Sequence, residues 1–249
     1  MQKIFIISTG RSASSAMYHH LNKLYNLQLP KNKEPHYYLN LDNLKNKPKI
    51  LNKLHIKNKK IYHGLYKKSK ISIDASVGYF FNIDSFLKRT KKISKNSKVI
   101  FLYREPIERA KSLFLKQYIT GYEKSTNFEK AFLRKKSKKN HYWWQFYYNN
   151  VNYHENFLKL KKNFKEILVI NFDSYPFFLS KIDKIMREFL TFDILEDEKH
   201  CLKKVNTSTL KNIINFNNFK KFLKKKNKLK KLFFLNIFSN IQINKNKKK

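Results

Sequence analysis

The sequence has a single cysteine and no long apolar run. Cys201 cannot form an internal disulfide or supply a metal site built from several cysteines, so a reducing compartment is compatible. The apolar opening at residues 4–7 is far too short for a signal peptide or a membrane span, and no apolar run reaches about 18 residues. These absences predict a soluble, cytoplasmic protein.

Acidic residues are also scarce, with 17 Asp and Glu against 55 Lys and Arg and a net charge of +38. Such a field attracts phosphate, sulfate, nucleic acid or anionic lipid headgroups. Lysine supplies 49 of the cations (55 less six arginines) and is interleaved with Asn and Ile, the bias of an AT-rich genome, so most lysines are expected to be solvated surface residues. The arginines carry more information because the planar guanidinium fits phosphate oxygens. They are Arg11, Arg89, Arg104, Arg109, Arg134 and Arg187.

The 249 residues, 41% of them hydrophobic, suffice for one enzyme-sized domain with a substantial core. We expect this domain over residues 1–210, followed by a Lys-rich C-terminal helical cap or tail over residues 211–249. The tail could instead be a basic amphipathic helix that contacts a membrane surface or an acidic partner.

Short apolar runs alternate with helical patterns along the domain. The runs predict buried strands at residues 3–8, 70–74, 98–103 and 166–171. Apolar residues at helical spacing predict helices over residues 13–25, from Pro106 onward, over 142–164 and over 177–190. Strands alternating with helices predict a three-layer α/β/α fold with a mainly parallel central sheet, whose ligands bind at the carboxyl ends of the strands.

The first candidate site is TGRSASS at residues 9–15, between the first strand and the first helix. Small residues at a helix start let backbone N–H groups surround an anion. The Walker pattern GxxxxGK[ST] is absent because no Gly-Lys pair precedes Ser14 and the cation, Arg11, comes early; this disfavours a magnesium-dependent nucleotide phosphoryl transferase. An ordinary tight turn between strand and helix explains the stretch equally well.

The second candidate site is YREPIERAKS at residues 103–112. Arg104 follows a buried strand and Ser112 lies about two turns into the next helix, so both could face the same crevice and hold a second phosphate. The alternative is a charged helix start with a Glu105/Arg109 pair at helical spacing.

Together these motifs resemble the sulfotransferase family, whose donor is 3′-phosphoadenosine 5′-phosphosulfate (PAPS). RSASSAM at residues 11–17 is similar to the family's 5′-phosphosulfate loop [KR]-x-G-[ST]-[ST]-x-L, and REPIERAKS at residues 104–112 matches its 3′-phosphate motif R-[DE]-P-x-x-R-x-x-S. The resemblance implies a P-loop nucleotide-kinase-like fold over residues 1–210, PAPS as co-substrate and no metal. It implies donor-binding residues Arg11, Ser12, Ala13, Ser14, Ser15, Arg104 and Ser112.

KEPHYY at residues 33–38 looks like the K-E-x-H-F-F segment of bacterial and heparan-type carbohydrate sulfotransferases. By this resemblance Glu34 is the general base, His36 orients it or replaces it, and Arg11 stabilises the leaving phosphate. DASVGYF at residues 74–80 resembles the family's E-K-[ST]-P-x-Y-F, and residues 203–208 resemble a late basic loop near the donor.

Two departures bear on activity. Ala13 stands where the family has Gly, which requires a negative φ at Ala13 or a shift of its neighbours. Ala75 stands where heparan-type members carry a Lys that faces the substrate.

The resemblance implies transfer of a sulfuryl group from PAPS to a hydroxyl or amine of an acceptor, a carbohydrate or glycolipid, with peripheral membrane contact through the basic tail as a further option. The alternatives are a small-molecule kinase with a degenerate P-loop, a basic nucleic-acid-binding protein, and an inactive protein with the same fold. The sequence contains no nucleic-acid-binding motif, so no specific nucleic acid is expected as a partner.

Overall fold

The computed structural model describes residues 2–27, 29–40, 55–67, 71–134, 153–173, 179–190 and 242–245. Its strands are β1 (Gln2–Ser8), β2 (Ile71–Asp74), β3 (Ser97–Tyr103), β4 (Glu166–Asn171) and β5 (Gln242–Lys245). They form one sheet in the order β2-β1-β3-β4-β5. The first four strands are parallel, whereas β5 pairs antiparallel with β4.

The four strands predicted from the apolar runs are all confirmed. β1 lies between β2 and β3, and its residues from Ile4 to Ile7 are completely buried, as a strand covered on both faces requires. β5 is a strand that the sequence does not predict. It belongs to the segment expected to be a helical cap or tail, and the rest of residues 211–249 lies outside the described part of the chain.

Helices connect the strands. They are α1 (Ser14–Leu24), α2 (Lys59–Gly64), α3 (Gly78–Phe81), α4 (Ile83–Thr90), α5 (Pro106–Ile119), α6 (Phe128–Phe132), α7 (His154–Asn163) and α8 (Leu179–Leu190). The helices predicted after the first strand and from Pro106 onward are confirmed. The one predicted over 142–164 is seen as α7, and residues 142–152 lie outside the described ranges. No helix in the described residues is long and apolar enough to cross a membrane.

Two separate hydrophobic clusters cover the two faces of the sheet, because side chains alternate along each strand. On one face Phe5 and Ile7 of β1 pack in an aromatic cluster with residues of α3, α4 and α7. On the other face Ile4 and Ile6 pack against α1 and α8. These layers confirm the predicted three-layer α/β/α architecture with a mainly parallel central sheet.

We expect Phe5→Ala to lower the free energy of unfolding by about 3–5 kcal/mol, the usual range for removing a buried Phe. The Phe5 ring is fully buried, and its centroid lies 5.1 Å from that of Phe86 and 5.4 Å from that of Tyr38. Urea unfolding measures the loss. Leu158→Ala, at a side chain that is 49% exposed, is the control and should cost well under half as much. A loss below about 1 kcal/mol for Phe5→Ala would contradict this packing.

Candidate active site

The loop between β1 and α1, residues 9–13, has an unusual backbone and is here called the anion loop. Gly10, Arg11 and Ala13 all have positive φ, at 70°, 55° and 61°. Of the two alternatives expected at Ala13, the negative φ is wrong, because the alanine adopts the left-handed conformation that favours glycine. For a residue with a Cβ, that conformation costs roughly 1–2 kcal/mol.

Hydrogen bonds inside the anion loop hold this shape. The hydroxyls of Thr9 and Ser12 are 2.8 Å apart, and the Ser12 hydroxyl also lies 3.1 Å from the Gly10 carbonyl, to which it can donate. Thr9 and Ser12 are both buried. Of the predicted donor-binding residues, Ser12 therefore directs its side chain into the loop.

The N-terminus of α1 opens directly behind the anion loop. Ser14 and Ser15 form its first turn, no described side chain caps it, and the sequence places no acid there. The first backbone N–H groups of a helix lack partners within the helix and carry the positive end of its dipole. This end of α1 therefore suits an anion.

A hydrogen bond joins the two sequence motifs. Arg11 Nε donates to Ser112 Oγ at 3.1 Å, across 101 residues of sequence. Burial, together with the nearby charge of Arg104, lowers the pKa of Arg11. Two guanidinium groups are thus held close enough to repel each other, and a bound anion would offset the repulsion.

Arg104 contacts residues that follow β4. Its Nε lies 3.2 Å from Asp173 Oδ1, and Asp173 Oδ2 accepts the backbone N–H of Glu105 at 2.6 Å. The guanidinium carbon is 5.1 Å from the centre of the Phe172 ring. Neither Phe172 nor Asp173 is predicted from the sequence, although their position just after a parallel strand places them at the edge where ligands bind.

Arg109 of α5 binds the first residue of the anion loop. Its side chain is fully buried, and its Nη1 donates to the Thr9 carbonyl at 3.0 Å. Arg109 and Ser112 are three residues apart on α5 and so share one helix face. α5 therefore contacts the loop at two points, through Thr9 and through Arg11.

Residues 33–36, the base segment, place a carboxylate beside a buried imidazole. Glu34 Oε2 lies 3.5 Å from His36 Nε2, and Lys33 Nζ donates to Glu34 Oε1. His36 is only 2% exposed, and neither ring nitrogen makes a hydrogen bond to a described residue. Burial lowers the pKa of His36, an effect that Glu34 and Asp74 partly oppose. Burial therefore favours the neutral imidazole of His36.

The short helix α3 connects the base segment to the anion loop. A Cβ placed on Gly78 would lie 3.4 Å from His36 Nδ1, and one placed on Gly10 would lie 3.9 Å from the Phe81 ring. Gly78 and Phe81 begin and end α3, about 4.5 Å apart along the helix axis. The anion loop and the base segment therefore both lie close to the single turn of α3.

Two further segments are matched to the family, residues 74–80 and residues 203–208, and the structure describes only the first. Ala75 is fully buried in the cluster that packs against α1, so no cation faces a substrate from this position. Residues 203–208 lie outside the described part of the chain. Among the residues described, no three His, Cys, Asp or Glu side chains lie together as a metal site would require.

No protein-family model and no curated protein matches the sequence. A solved sulfotransferase from Alicyclobacillus acidocaldarius is similar in structure, with a TM-score of 0.74 over 93% of this chain and 94% of that one, at 16% identity. The chain has a sulfotransferase fold. A sulfotransferase domain from the curacin biosynthetic pathway aligns with a TM-score of 0.47 over 78% of this chain and 75% of that one, also at 16% identity.

The sulfotransferase fold confirms the predicted P-loop nucleotide-kinase-like architecture. At 16% identity the likeness describes the fold, so any activity has to be argued from the residues that the fold brings together. Those are the anion loop with Arg104 and Ser112, and the base segment with His36 close to α3.

Replacing Ala13 by Gly is expected to raise the free energy of unfolding by about 1 kcal/mol, because glycine adopts positive φ without the cost that alanine incurs. Urea unfolding followed by circular dichroism measures the gain. Ala16→Gly, at the third residue of α1, is the matched control and should instead lower stability by roughly 0.5–1 kcal/mol. A destabilised Ala13→Gly protein would contradict the left-handed backbone at this residue.

Proposed function

We propose that this protein is a PAPS-dependent sulfotransferase whose acceptor is a hydroxyl or amine of a carbohydrate or glycolipid. The observation that supports the proposal most is the hydrogen bond of 3.1 Å from Arg11 to Ser112. It brings together the two motifs that resemble the 5′-phosphosulfate and 3′-phosphate sites of the family. The sulfotransferase fold supports it independently.

The donor-binding residues fit a nucleotide with two anionic ends. PAPS, when bound, supplies the sulfuryl group and leaves as 3′-phosphoadenosine 5′-phosphate. Arg11 and the backbone N–H groups at Ser14 and Ser15 would bind the 5′-phosphosulfate. Arg104 and Ser112 would bind the 3′-phosphate, which ATP lacks, and so select the donor.

Binding would rearrange the contacts of Arg104. Its guanidinium is only about one-fifth exposed and is now paired with the Asp173 carboxylate, which is one-third exposed. A phosphate carries more charge than a carboxylate and accepts the same forked hydrogen bonds. We expect the 3′-phosphate to take the place of Asp173, whose other oxygen stays bonded to the backbone N–H of Glu105.

Sulfuryl transfer depends on positioning and on stabilisation of the charge that builds on the leaving oxygen. Arg11 is suited to stabilise that charge because its guanidinium is half-buried and is held in place by the hydrogen bond to Ser112. Glu34 would accept the proton of the acceptor, and its Oε2 lies 3.5 Å from the imidazole of His36, whose neutral form is favoured by burial. A protonated histidine in that position would weaken the carboxylate as a base, so the lowered pKa of His36 favours this division of roles.

The decisive experiment is transfer of labelled sulfate from PAPS to a panel of glycans and to a cell lysate. We expect label in a glycan or glycolipid fraction and release of 3′-phosphoadenosine 5′-phosphate. A thermal-shift comparison separates the kinase alternative: 3′-phosphoadenosine 5′-phosphate should stabilise the protein more than ATP with Mg²⁺. Absence of transfer, or preference for ATP, would overturn the proposal.

Arg104→Ala should raise the KM for PAPS by about tenfold to a hundredfold, the equivalent of losing a charged hydrogen bond worth about 1.5–3 kcal/mol. Steady-state kinetics measures this, with the unfolding temperature as a check on the fold. Arg187→Ala, at an exposed arginine of α8, is the matched control for loss of one positive charge and should leave the KM unchanged. An unchanged PAPS affinity in Arg104→Ala would remove the second motif from the site.

Glu34→Gln should lower kcat by about 10²- to 10⁴-fold, the range for a lost general base, with little change in the KM for PAPS. The amide keeps the size of the carboxylate but cannot accept the acceptor proton. Glu155→Gln, at an exposed residue of α7, is the control and should keep full turnover. Near-normal turnover of Glu34→Gln would assign the base role to His36 instead.

A further inference from the structure

A buried carboxylate lies at the end of β2, where the proposed reaction does not use it. Asp74 is fully buried and accepts four hydrogen bonds. Its donors are the hydroxyls of Tyr79 (2.7 Å), Ser76 (2.7 Å) and Tyr62 (3.1 Å) and the backbone N–H of Ser76 (3.2 Å). Asp74, Ser76 and Tyr79 all belong to the sequence match at residues 74–80. One hydrogen-bond network therefore connects three residues of this motif, which has no role in the proposed reaction.

The network extends to the base segment. The backbone N–H of His36 donates to Ser76 Oγ at 3.0 Å, in a bond that is buried at both ends. The backbone N–H of Ala75 donates to the Lys33 carbonyl, also at 3.0 Å. Two adjacent residues of the turn between β2 and α3 thus bind Lys33 and His36, the first and last residues of the base segment that contains Glu34.

His36 needs such support because its backbone is strained. Its φ is 51°, in the left-handed region that a residue with a side chain rarely adopts. A conformation of this kind persists only where the surroundings fix it, and it occurs often at functional sites. The Ser76 hydroxyl gives its hydrogen to Asp74, so its lone pairs are free to accept the His36 N–H in one fixed direction.

The positive charge of Lys3 compensates the negative charge of Asp74 through Tyr62. Lys3 Nζ donates to the Tyr62 hydroxyl, which in turn donates to Asp74, and it lies 4.2 Å from the centre of the Tyr62 ring. A fully buried carboxylate is costly without such partners. An apolar side chain would fill this part of the core at lower cost, but it could not orient the Ser76 hydroxyl.

We infer that Asp74 and Ser76 are positioning residues for the proposed sulfuryl transfer: through the Ser76 hydroxyl they hold His36 in its left-handed conformation and so keep the Glu34 carboxylate beside the imidazole. The inference rests on the proposed function. It explains the motif at residues 74–80 as a support for the base segment, not as part of the donor site.

The test is Ser76→Ala, which removes the acceptor of the His36 N–H and leaves Asp74 in place. Two quantities are measured: the hydrogen-exchange rate of the His36 amide by NMR, and the kinetics with PAPS and the glycan that accepts label best in the panel. We expect amide exchange at least about tenfold faster and kcat about tenfold lower, as for loss of one hydrogen bond. The KM for PAPS should stay within about twofold, because the anion loop does not contact Ser76 through any hydrogen bond of the described residues.

Two controls separate positioning from stability. Ser72→Ala removes a buried hydroxyl of the same strand, one without a hydrogen-bond partner among the described residues. Tyr66→Phe removes a buried hydrogen bond of 3.1 Å to the Ile73 carbonyl, close to the network but not bonded to Asp74. Tyr66→Phe should lose about as much stability as Ser76→Ala. Both controls should keep the kcat and the His36 exchange rate of the unmodified protein.

The outcomes separate the inference from the proposed function. Unchanged exchange of the His36 amide in Ser76→Ala would overturn the inference, and so would faster exchange with unchanged kcat. Equal loss of kcat in Tyr66→Phe would also overturn it, because stability alone would then explain the effect. If the unmodified protein transfers no sulfate from PAPS, the proposed function fails, while the exchange experiment still decides whether Ser76 holds His36.

Discussion

The contact between helix α5 and the anion loop is the constraint on which the candidate site depends. Arg109 and Ser112, on one face of the helix, bind the Thr9 carbonyl and the Arg11 guanidinium respectively. Because Arg109 is completely buried, its bond to the loop is shielded from water and from competing anions. Because β1 and β3 are parallel, their carboxyl ends lie at the same edge of the sheet. The hydrogen bonds of Arg109 and Ser112 then fix the position of the anion loop relative to α5 at that edge.

Five of the six arginines of this lysine-rich chain occupy positions where geometry matters. Beyond the three in the two motifs, Arg134 donates through both terminal nitrogens to the buried Glu123 carboxylate, at 2.9 and 3.0 Å. Arg89 lies over the Tyr37 ring at 5.9 Å. A lysine could replace neither the forked contact nor the planar one. These five arginines make contacts that depend on the guanidinium, whereas Arg187 is exposed on α8. This supports the view that most of the lysine bias reflects composition.

Much of the fold could be predicted from the sequence because its signals are local. A buried parallel strand is a continuous apolar run, and Pro106 after a strand begins a helix, so β1 to β4 and α5 could be located from neighbouring residues alone. The pairing of β5 with β4 depends on residues more than 70 positions apart and has no local pattern. The positive φ of Ala13 could not be predicted for the opposite reason: the local preference of alanine is clear, but the contacts of the loop override it.

The site was predictable only in part, since its polar contacts join distant segments. Motif resemblance identifies Arg11 and Ser112, but the bond of Arg104 to Asp173 and that of His36 to Ser76 follow from the folded chain alone. Asp74 illustrates the reason. An acidic residue in an apolar strand has no local explanation in the sequence, and its role becomes clear only from its three hydroxyl donors, which belong to Tyr62, Ser76 and Tyr79. Buried polar groups need partners, and the sequence does not say which ones.

Several costs to stability are concentrated around this site. Ala13 and His36 have left-handed backbones, and Arg11 lies close to the charge of Arg104. Burial also lowers the pKa of Lys3 to about 8, against the attraction of Asp74. Between that pKa and the ordinary lysine value the unfolded chain binds more protons than the folded one, so this group makes stability rise with pH over that window; below pH 8 its burial opposes folding in full. A core selected for stability alone would contain none of these features. Ala13 and Arg11 lie at the carboxyl edge of β1, His36 belongs to the base segment, and Lys3 contacts the Asp74 network through Tyr62. This concentration argues that the region is maintained for its chemistry.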